Sequence, residues 1–233
     1  MLKIILSMLL MSVALFGDTK EALEAFKKKD YEKAFKLYEK SAKSGDTTAQ
    51  NALSYLYFNG IGIQKDTEKG ISWLEKAAKA SDARAQNDLG MMYLTGQNVK
   101  QDSKNAFTWL TKASEAKNPN AEYNLALMYY RGDGIDQNAT KAAELLERSA
   151  IQGNQQAEQN IGLVYMQLLK FDKAAEWLEK NAAQGDERAY YLLAEIYCTN
   201  EKFKQAKKWA QLSKDSGNKD AELLWFKYNL EKY

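Results

Sequence analysis

Large and small apolar residues alternate along this chain at helical spacing. A tyrosine recurs at five equivalent positions, four residues after a leucine or isoleucine, and the residue directly after that leucine or isoleucine is small. The tyrosines are Tyr57, Tyr93, Tyr129, Tyr165 and Tyr197, and the small residues are Ser54, Gly90, Ala126, Gly162 and Ala194. Residues four apart share one face of a helix, and a small residue on that face lets a second helix approach closely. The pattern predicts short helices packed tightly in pairs.

The same pattern is periodic along the chain. Its marker is an alanine, spaced 36 residues apart in the first three intervals and 32 in the last two: Ala49, Ala85, Ala121, Ala157, Ala189 and Ala221. One unit, 121–150, contains two predicted helices joined by a glycine-containing loop, and the loop glycines Gly60, Gly96 and Gly132 are in register. A fixed period of this length indicates a solenoid built from repeats.

Each repeat also carries signals for where its helices begin and end. An aspartate or asparagine stands three residues before every marker alanine: Asp46, Asp82, Asn118, Asn154, Asp186 and Asn218. Their side chains can accept hydrogen bonds from the first free amides of a helix, which predicts an N-cap in every unit. Glycines stand directly before four of them, at Gly45, Gly153, Gly185 and Gly217, and predict a left-handed turn that ends the preceding helix.

The second helix of each unit has a large apolar residue at one position: Leu37, Trp73, Trp109, Leu145, Trp177 and Trp209. We interpret these residues and the repeated tyrosines as core rather than as a cofactor site. The only cysteine, Cys198, is interpreted as a packing residue. The net charge of +2 gives no basic surplus, so nucleic acid is not an expected partner.

The N-terminus has the features of a signal peptide. Lys3 is followed by an apolar run over 4–16, which is short for a membrane span and suits a secretory segment. The sequence therefore predicts a signal peptide over 1–17 and a mature repeat domain over 18–233. We expect a periplasmic or secreted protein without a stable membrane anchor after cleavage; the alternative is a buried first helix.

Two stretches, LGMMYLTGQNVKQDSKNAFTWLTKAS and LALMYYRGDGIDQNATKAAELLERSA, resemble Sel1-like repeats, which are relatives of tetratricopeptide repeats. The resemblance is strong over 46–154, whereas the last two units lack the glycine loop. It implies an all-α fold, a right-handed α-solenoid of antiparallel helix pairs, that serves as a protein-binding scaffold. We expect a monomer whose partner is a protein or a component of the cell envelope.

The positions two, six and nine residues after the marker alanine differ most between units and share one face of the first helix. In arrays of this kind the first helices line the concave surface, so we predict that this face binds the partner. The predicted partner-binding residues are Tyr55, Phe58, Met91, Tyr123, Leu127, Tyr130 and Tyr191. The alternative is that some of them pack between neighbouring units.

Enzymatic activity is the alternative class of function. Exported, cysteine-rich members of the family are classed as β-lactamases or binders of penicillin and peptidoglycan fragments. Ser114–Lys117 matches S-x-x-K and 43–45 matches K-[ST]-G, but both fall at predicted helix ends and no S-D-N is present. The chain has one cysteine and no histidine, which excludes histidine-dependent triads and metal sites. We expect no catalytic residue, no cofactor and no metal. A periplasmic assembly factor or chaperone is the remaining alternative.

A modification motif lies in the loop of the third full unit. Asp136-Gln137-Asn138-Ala139-Thr140 contains N-x-[ST] with an acidic residue two positions before the asparagine. This longer form resembles the acceptor used by bacteria with periplasmic N-linked glycosylation, so Asn138 is a predicted glycosylation site. The alternative is that Asn138 only caps a helix, because Asp66 and Asp102 hold the same place in their units.

Overall fold

The computed structural model of the protein describes residues 17–233. Residues 1–16, which make up nearly all of the predicted signal peptide, lie outside the described residues. The last residue of that predicted segment, Gly17, is the first residue described and belongs to helix α1.

Residues 17–233 fold into α-helices joined by short turns, without a strand. The helices are α1 (17–27), α2 (Tyr31–Lys43), α3 (Thr47–Asn59), α4 (Thr67–Lys79), α5 (Ala83–Thr95), α6 (Ser103–Glu115), α7 (Pro119–Arg131), α8 (Ala139–Ile151), α9 (Gln155–Gln167), α10 (Phe171–Ala183), α11 (Glu187–Thr199), α12 (Phe203–Asp215) and α13 (Lys219–Lys227), and a 3₁₀ turn follows at Leu230–Lys232. This confirms the predicted all-α solenoid class of helix pairs. None of the helices described is both long and apolar enough to cross a membrane.

The helices fall into two compact units, which divide within α7. The first unit ends at Asn124 and contains α1–α6 and the start of α7. The second unit, Leu125–Tyr233, contains the rest of α7 and α8–α13. In both units helices pack on their neighbours in sequence, for example α3 on α4 and α5 on α6 in the first, or α8 on α9 and α11 on α12 in the second. Nearest-neighbour packing of this kind is what the periodic sequence predicts.

The joints between successive repeats have the predicted N-caps. In all six, the side-chain oxygen of the aspartate or asparagine accepts a hydrogen bond from a backbone N–H in the first turn of the next helix, at 2.9–3.1 Å. The backbone N–H of the same residue donates to the carbonyl five residues earlier, at 3.0–3.2 Å. The four joint glycines have φ between 87° and 98°, and Ser81 and Lys117 hold the left-handed turn in the other two joints. This is the Schellman arrangement, which closes one helix directly against the start of the next.

The shorter repeats differ inside the unit rather than at the joints. In the 36-residue repeats, Asp66, Asp102 and Asn138 cap the second helix with a side-chain oxygen. In the 32-residue repeats, Lys170 and Lys202 occupy this place without a side-chain capping bond. The glycine loop is replaced there by a tight turn in which Leu169 and Glu201 adopt φ of 56°. Each 32-residue repeat, which is four residues shorter, therefore lacks the side-chain cap of its second helix. It also places one non-glycine residue, Leu169 or Glu201, in a backbone conformation that favours glycine.

The alternation of large and small residues produces the close helix pairs. A Cβ atom added to Gly90 of α5 would lie 2.8 Å from Cγ of Leu110 on α6. In the second unit, a Cβ atom on Gly162 of α9 would lie at the same distance from Cγ of Leu178 on α10. The residues directly before these glycines, Leu89 and Ile161, are fully buried. The small residue is thus required by the contact between the two helices of a pair.

The aromatic residues of the repeat are less uniformly buried than the sequence indicates. Trp177 and Tyr165 are core residues, but Trp73 and Trp109 are only half-buried. Their rings pack beside the cores of α1–α3 and α4–α5, and lysines at i+3 cover their outer faces. The Nζ atoms of Lys76 and Lys112 lie 4.2 and 4.4 Å from the ring centroids. The interpretation of Trp73 and Trp109 as core residues was therefore only partly right.

Cys198 has the predicted packing role. Its side chain is 2% exposed in the cluster formed by α11, α12 and α13. Burial raises the pKa of the thiol to about 11, and the nearby carboxylate of Glu195 acts in the same direction. The reactive thiolate is therefore scarce at neutral pH.

Candidate partner-binding face

Two neighbouring pockets open on the first helices of the first unit. The α3–α5 pocket, of about 470 Å³, lies between α3 and α5, and the α1–α3 pocket, of about 610 Å³, lies between α1 and α3. Asn51, Tyr55 and Asp88 line both of them. The side chain of Tyr55 is 52% exposed, an unusual degree for a large aromatic residue on a helix with buried neighbours on either side. Tyr55 therefore forms a ridge between two cavities.

The α3–α5 pocket brings together three of the predicted partner-binding residues: Tyr55, Phe58 and Met91. Phe58 also packs into the structure, because a Cβ atom on Gly70 of α4 would lie 2.7 Å from its ring. The alternative, that some of these residues pack within the repeat array, thus holds in part for Phe58, which lines the pocket and also packs against α4. The flexible side chain of Met91, half-buried on α5, forms the opposite wall.

The α1–α3 pocket is mostly apolar and includes residues that the sequence prediction did not contain. Leu23 and Phe26 of α1 line it together with Leu56 of α3. Leu23 is 44% exposed, so its side chain is available from solvent. The charged residues of the pocket are Lys20, Asp46, Arg84 and Asp88. The pocket therefore combines an apolar floor with charges of both signs.

A chain of polar side chains crosses the same face. Nδ2 of Asn124 donates to Oδ1 of Asn87 at 2.9 Å, and Nδ2 of Asn87 donates to Oδ1 of Asp88 at 3.1 Å. This chain connects α5 with the start of α7, and Asn51 on α3 lies close enough to Asp88 to favour its ionised form. Asn87, one of the varying positions, is thereby buried and structural rather than open to a ligand.

Asp88 is the carboxylate of this face whose pKa is shifted by its surroundings. Although the residue as a whole is open to solvent, the pocket walls desolvate its carboxylate, and this raises its pKa above the ordinary value. The charge of Asp82 acts in the same direction. The hydrogen bonds from Asn87 and Asn51 and the charge of Arg84 oppose the shift without cancelling it.

The other predicted partner-binding residues lie apart from these pockets in sequence. Tyr123 is half-buried at the start of α7 in the first unit. In the second unit, Leu127 and Tyr130 are half-buried on α7, and Tyr191 is half-buried on α11. Burial, together with the charges of Glu195 and Asp220, raises the pKa of the Tyr191 phenol. Their assignment to a partner-binding face stays a prediction.

The residues that the sequence prediction missed are Leu23, Phe26, Arg84 and Asp88. Leu23 and Phe26 belong to α1, which precedes the first marker alanine and so has no counterpart in the comparison of units. Asp88 lies three residues after its marker alanine, whereas the predicted face comprises the positions two, six and nine residues after it. The adjoining repeats have Ala52 and Asn124 at the equivalent position. The charge of Asp88 at this position is the one sequence signal that distinguishes it.

The two motifs that resemble penicillin-recognising enzymes lie at repeat joints. Ser114 is buried at the end of α6, and Lys117 is the left-handed residue of the turn that follows. Ser44 and Gly45 occupy the equivalent turn after α2. The N–H groups of Gly45 and Lys117 both donate to the carbonyl three residues earlier, so the two motifs share one structural role.

The comparison with protein families gives a match over most of the chain. The model described as the Sel1 repeat matches residues 21–46, 47–82, 83–118, 119–154 and 161–186. The boundaries between the first four matches fall at or directly after the capping residues, in agreement with the predicted repeats. A search of the curated proteins finds no significant match to the chain.

Solved structures give the same picture. A protective antigen present in uropathogenic Escherichia coli strains, which displays an SLR fold, is 28% identical with a TM-score of 0.70 over 84% of this chain and 45% of that one. The chain therefore spans less than half the length of that antigen. A Sel1 repeat protein from Oxalobacter formigenes is 29% identical with a TM-score of 0.69, over 88% of this chain and 84% of that one. PilF of Pseudomonas aeruginosa shares the fold alone. It is 16% identical, with a TM-score of 0.58 over 94% of this chain and 98% of that one.

Proposed function

Because this chain belongs to the Sel1 repeat family, we propose that it is an exported, non-catalytic scaffold that binds another protein on the first-helix face of its first unit. Repeat proteins of this family serve as scaffolds for protein–protein interaction. We infer export from the N-terminal sequence and the binding face from the exposure of Tyr55.

The observation that carries the proposal is the exposed ridge of Tyr55 between two cavities. Aromatic side chains that reach into or border pockets are the usual anchors of protein interfaces. The α1–α3 pocket offers an apolar floor formed by Leu23, Phe26 and Leu56, and the α3–α5 pocket offers Met91. A partner segment that places one apolar side chain in each cavity would enclose Tyr55 and remove a large apolar area from water.

Export is proposed from the N-terminal sequence. A lysine followed by a short apolar run is typical of a secretory signal, and such a segment is removed from the mature protein. Fractionation of the native host and sequencing of the mature N-terminus test this part: we expect the protein outside the cytoplasm, starting close to residue 18.

Site-specific photo-crosslinking in the native host tests the binding face. A photoreactive phenylalanine analogue at position 55 should crosslink one stoichiometric partner. The same analogue at position 72, an exposed serine on the second helix α4, is the control and should not crosslink it. Equal yields of the same adduct from both positions would contradict the proposal.

The binding energy of the identified partner gives a second test. We expect Tyr55→Ala to weaken the affinity at least tenfold, or about 1.4 kcal/mol, because it removes an anchor at the centre of the face. Ile151→Ala removes an apolar side chain that is 73% exposed on α8 and should leave the affinity unchanged. An unchanged Kd for Tyr55→Ala, with wild-type circular dichroism, would exclude this face as the binding site.

A further inference from the structure

We propose that Asn138 is an acceptor for N-linked glycosylation, a modification that rests on the export proposed above. Asn138 is the only asparagine of the 233-residue chain followed two positions later by serine or threonine. Asp136, two positions earlier, extends the motif to the acidic form that resembles the bacterial acceptor. The modification requires that this segment be accessible and that the modified side chain be compatible with the fold.

The segment is accessible in the second unit. It follows the glycine turn of the loop between α7 and α8, where Gly132 and Gly134 both have positive φ. Asp136, Gln137 and Thr140 are exposed and Asn138 is partly exposed, so the residues of the motif reach solvent together. The loop is also held in place, because Nε2 of Gln137 donates to the carbonyl of Tyr130 at 2.7 Å.

The two atoms of the Asn138 amide have separate roles. Its Oδ1 caps α8 by accepting a hydrogen bond from the backbone N–H of Lys141 at 2.9 Å, whereas Nδ2 takes no part in the cap. Glycosylation occurs on Nδ2 and leaves the carbonyl oxygen in place. The alternative interpretation, a helix cap alone, is therefore compatible with modification, and the folded protein can carry the glycan without losing the cap.

The chemical step needs a donor outside the protein, an oligosaccharide carried on a polyprenyl pyrophosphate. Nδ2 of Asn138 attacks C1 of the first sugar, the bond between C1 and the pyrophosphate oxygen breaks, and one proton passes from Nδ2 to water. The pyrophosphate departs with the bonding electron pair, and nothing is oxidised or reduced. The product is an amide that keeps one N–H group and Oδ1.

The equivalent loops of the first unit supply the matched control. Asp66 and Asp102 hold the position of Asn138 and cap their helices through Oδ1, at 3.0 Å in both cases. Asn138→Asp therefore preserves the cap and removes the acceptor nitrogen. Thr140→Ala preserves both the cap and the nitrogen but removes the hydroxyl of the motif, and Thr140→Ser restores it.

The experiment is mass spectrometry of the full chain expressed with its native N-terminus in a host with periplasmic N-glycosylation. Trypsin cleaves after Arg131 and Lys141, so the site lies in the peptide 132–141. We expect this peptide to carry the host glycan in the wild type and in Thr140→Ser. Its occupancy should fall at least tenfold in Asn138→Asp and Thr140→Ala, while their melting temperatures stay close to wild type.

Three results would overturn the proposal. A bare peptide from mature periplasmic protein, in cells that glycosylate a co-expressed acceptor, rejects the site and leaves export standing. A glycan that persists in Asn138→Asp rejects the residue. Unprocessed protein retained in the cytoplasm rejects export and this inference together, and the N-terminal peptide distinguishes that outcome from the first.

Discussion

At the scale of single residues, the carboxylate of Asp88 shows how the proposed binding face affects stability. Desolvation by the pocket walls raises its pKa in the folded protein, so the folded state binds a proton more readily than the unfolded state. Ionisation therefore opposes folding: the cost is fully present above the folded pKa and disappears as the pH falls below the unfolded value.

Replacing this carboxylate by a neutral amide tests that cost. Asp88→Asn keeps an oxygen for Asn87 and Asn51, and we expect it to stabilise the protein at pH 7 by about 0.5 kcal/mol or less, since the group remains partly solvated. The gain should vanish near pH 3. Thermal melts of wild type and variant across this pH range measure it, and Asp133→Asn controls for net charge. A variant that is less stable than wild type at pH 7 would show that the charge itself holds the polar chain together.

Local rules account for the residue-scale features that the sequence predicts. The six N-caps depend only on the few residues around each joint, and small residues such as Gly90 and Gly162 depend only on the contact between the two helices of one pair, so a repeated sequence reveals both. The half-burial of Trp73 and Trp109 depends on how the helices of neighbouring units pack against their rings, which no single unit specifies. Leu23 and Asp88 were not predicted because the pockets that they line form only where helices of different repeats pack together.

At the scale of the element, the repeat joint is the constant part of the structure. Four joints use glycine for the left-handed residue, and two use Ser81 and Lys117 at φ of 67° and 59°. A Cβ atom added to Gly153 would meet nothing within 4 Å, so the preference for glycine there is a matter of backbone conformation and not of space.

Reciprocal substitutions at two joints measure this preference. Gly153→Ala should destabilise the protein by about 1 kcal/mol, because an L-residue resists positive φ. Lys117→Gly should stabilise it by about 0.5 kcal/mol, the backbone gain being reduced by the greater freedom of glycine in the unfolded chain. Urea titrations give both values. Equal stability of Gly153→Ala and wild type would mean that the turn relaxes to another conformation.

At the scale of the whole molecule, contacts between neighbouring helices dominate each unit, so stability should accumulate repeat by repeat. The helices α1–α6 lie in the first unit and make up three pairs, which is the smallest number expected to fold independently. A fragment covering 17–117 should therefore be helical by circular dichroism and melt cooperatively at a lower temperature than the full chain. A random-coil spectrum would show that these three pairs need the residues that follow them in order to fold.

Because the joints share one structure, each capping residue is a point at which a whole repeat can be removed or inserted without changing the joint. Deleting 82–117 would bring Asn118 directly after Ser81, and the fused sequence would contain every group that the joint uses: a left-handed residue, a capping side chain and a carbonyl five residues back. Duplication at the same point would work equally well. Unequal recombination can thus lengthen or shorten the array by one repeat in a single event. The number of positions available for binding can therefore change during evolution while the fold of each repeat stays the same.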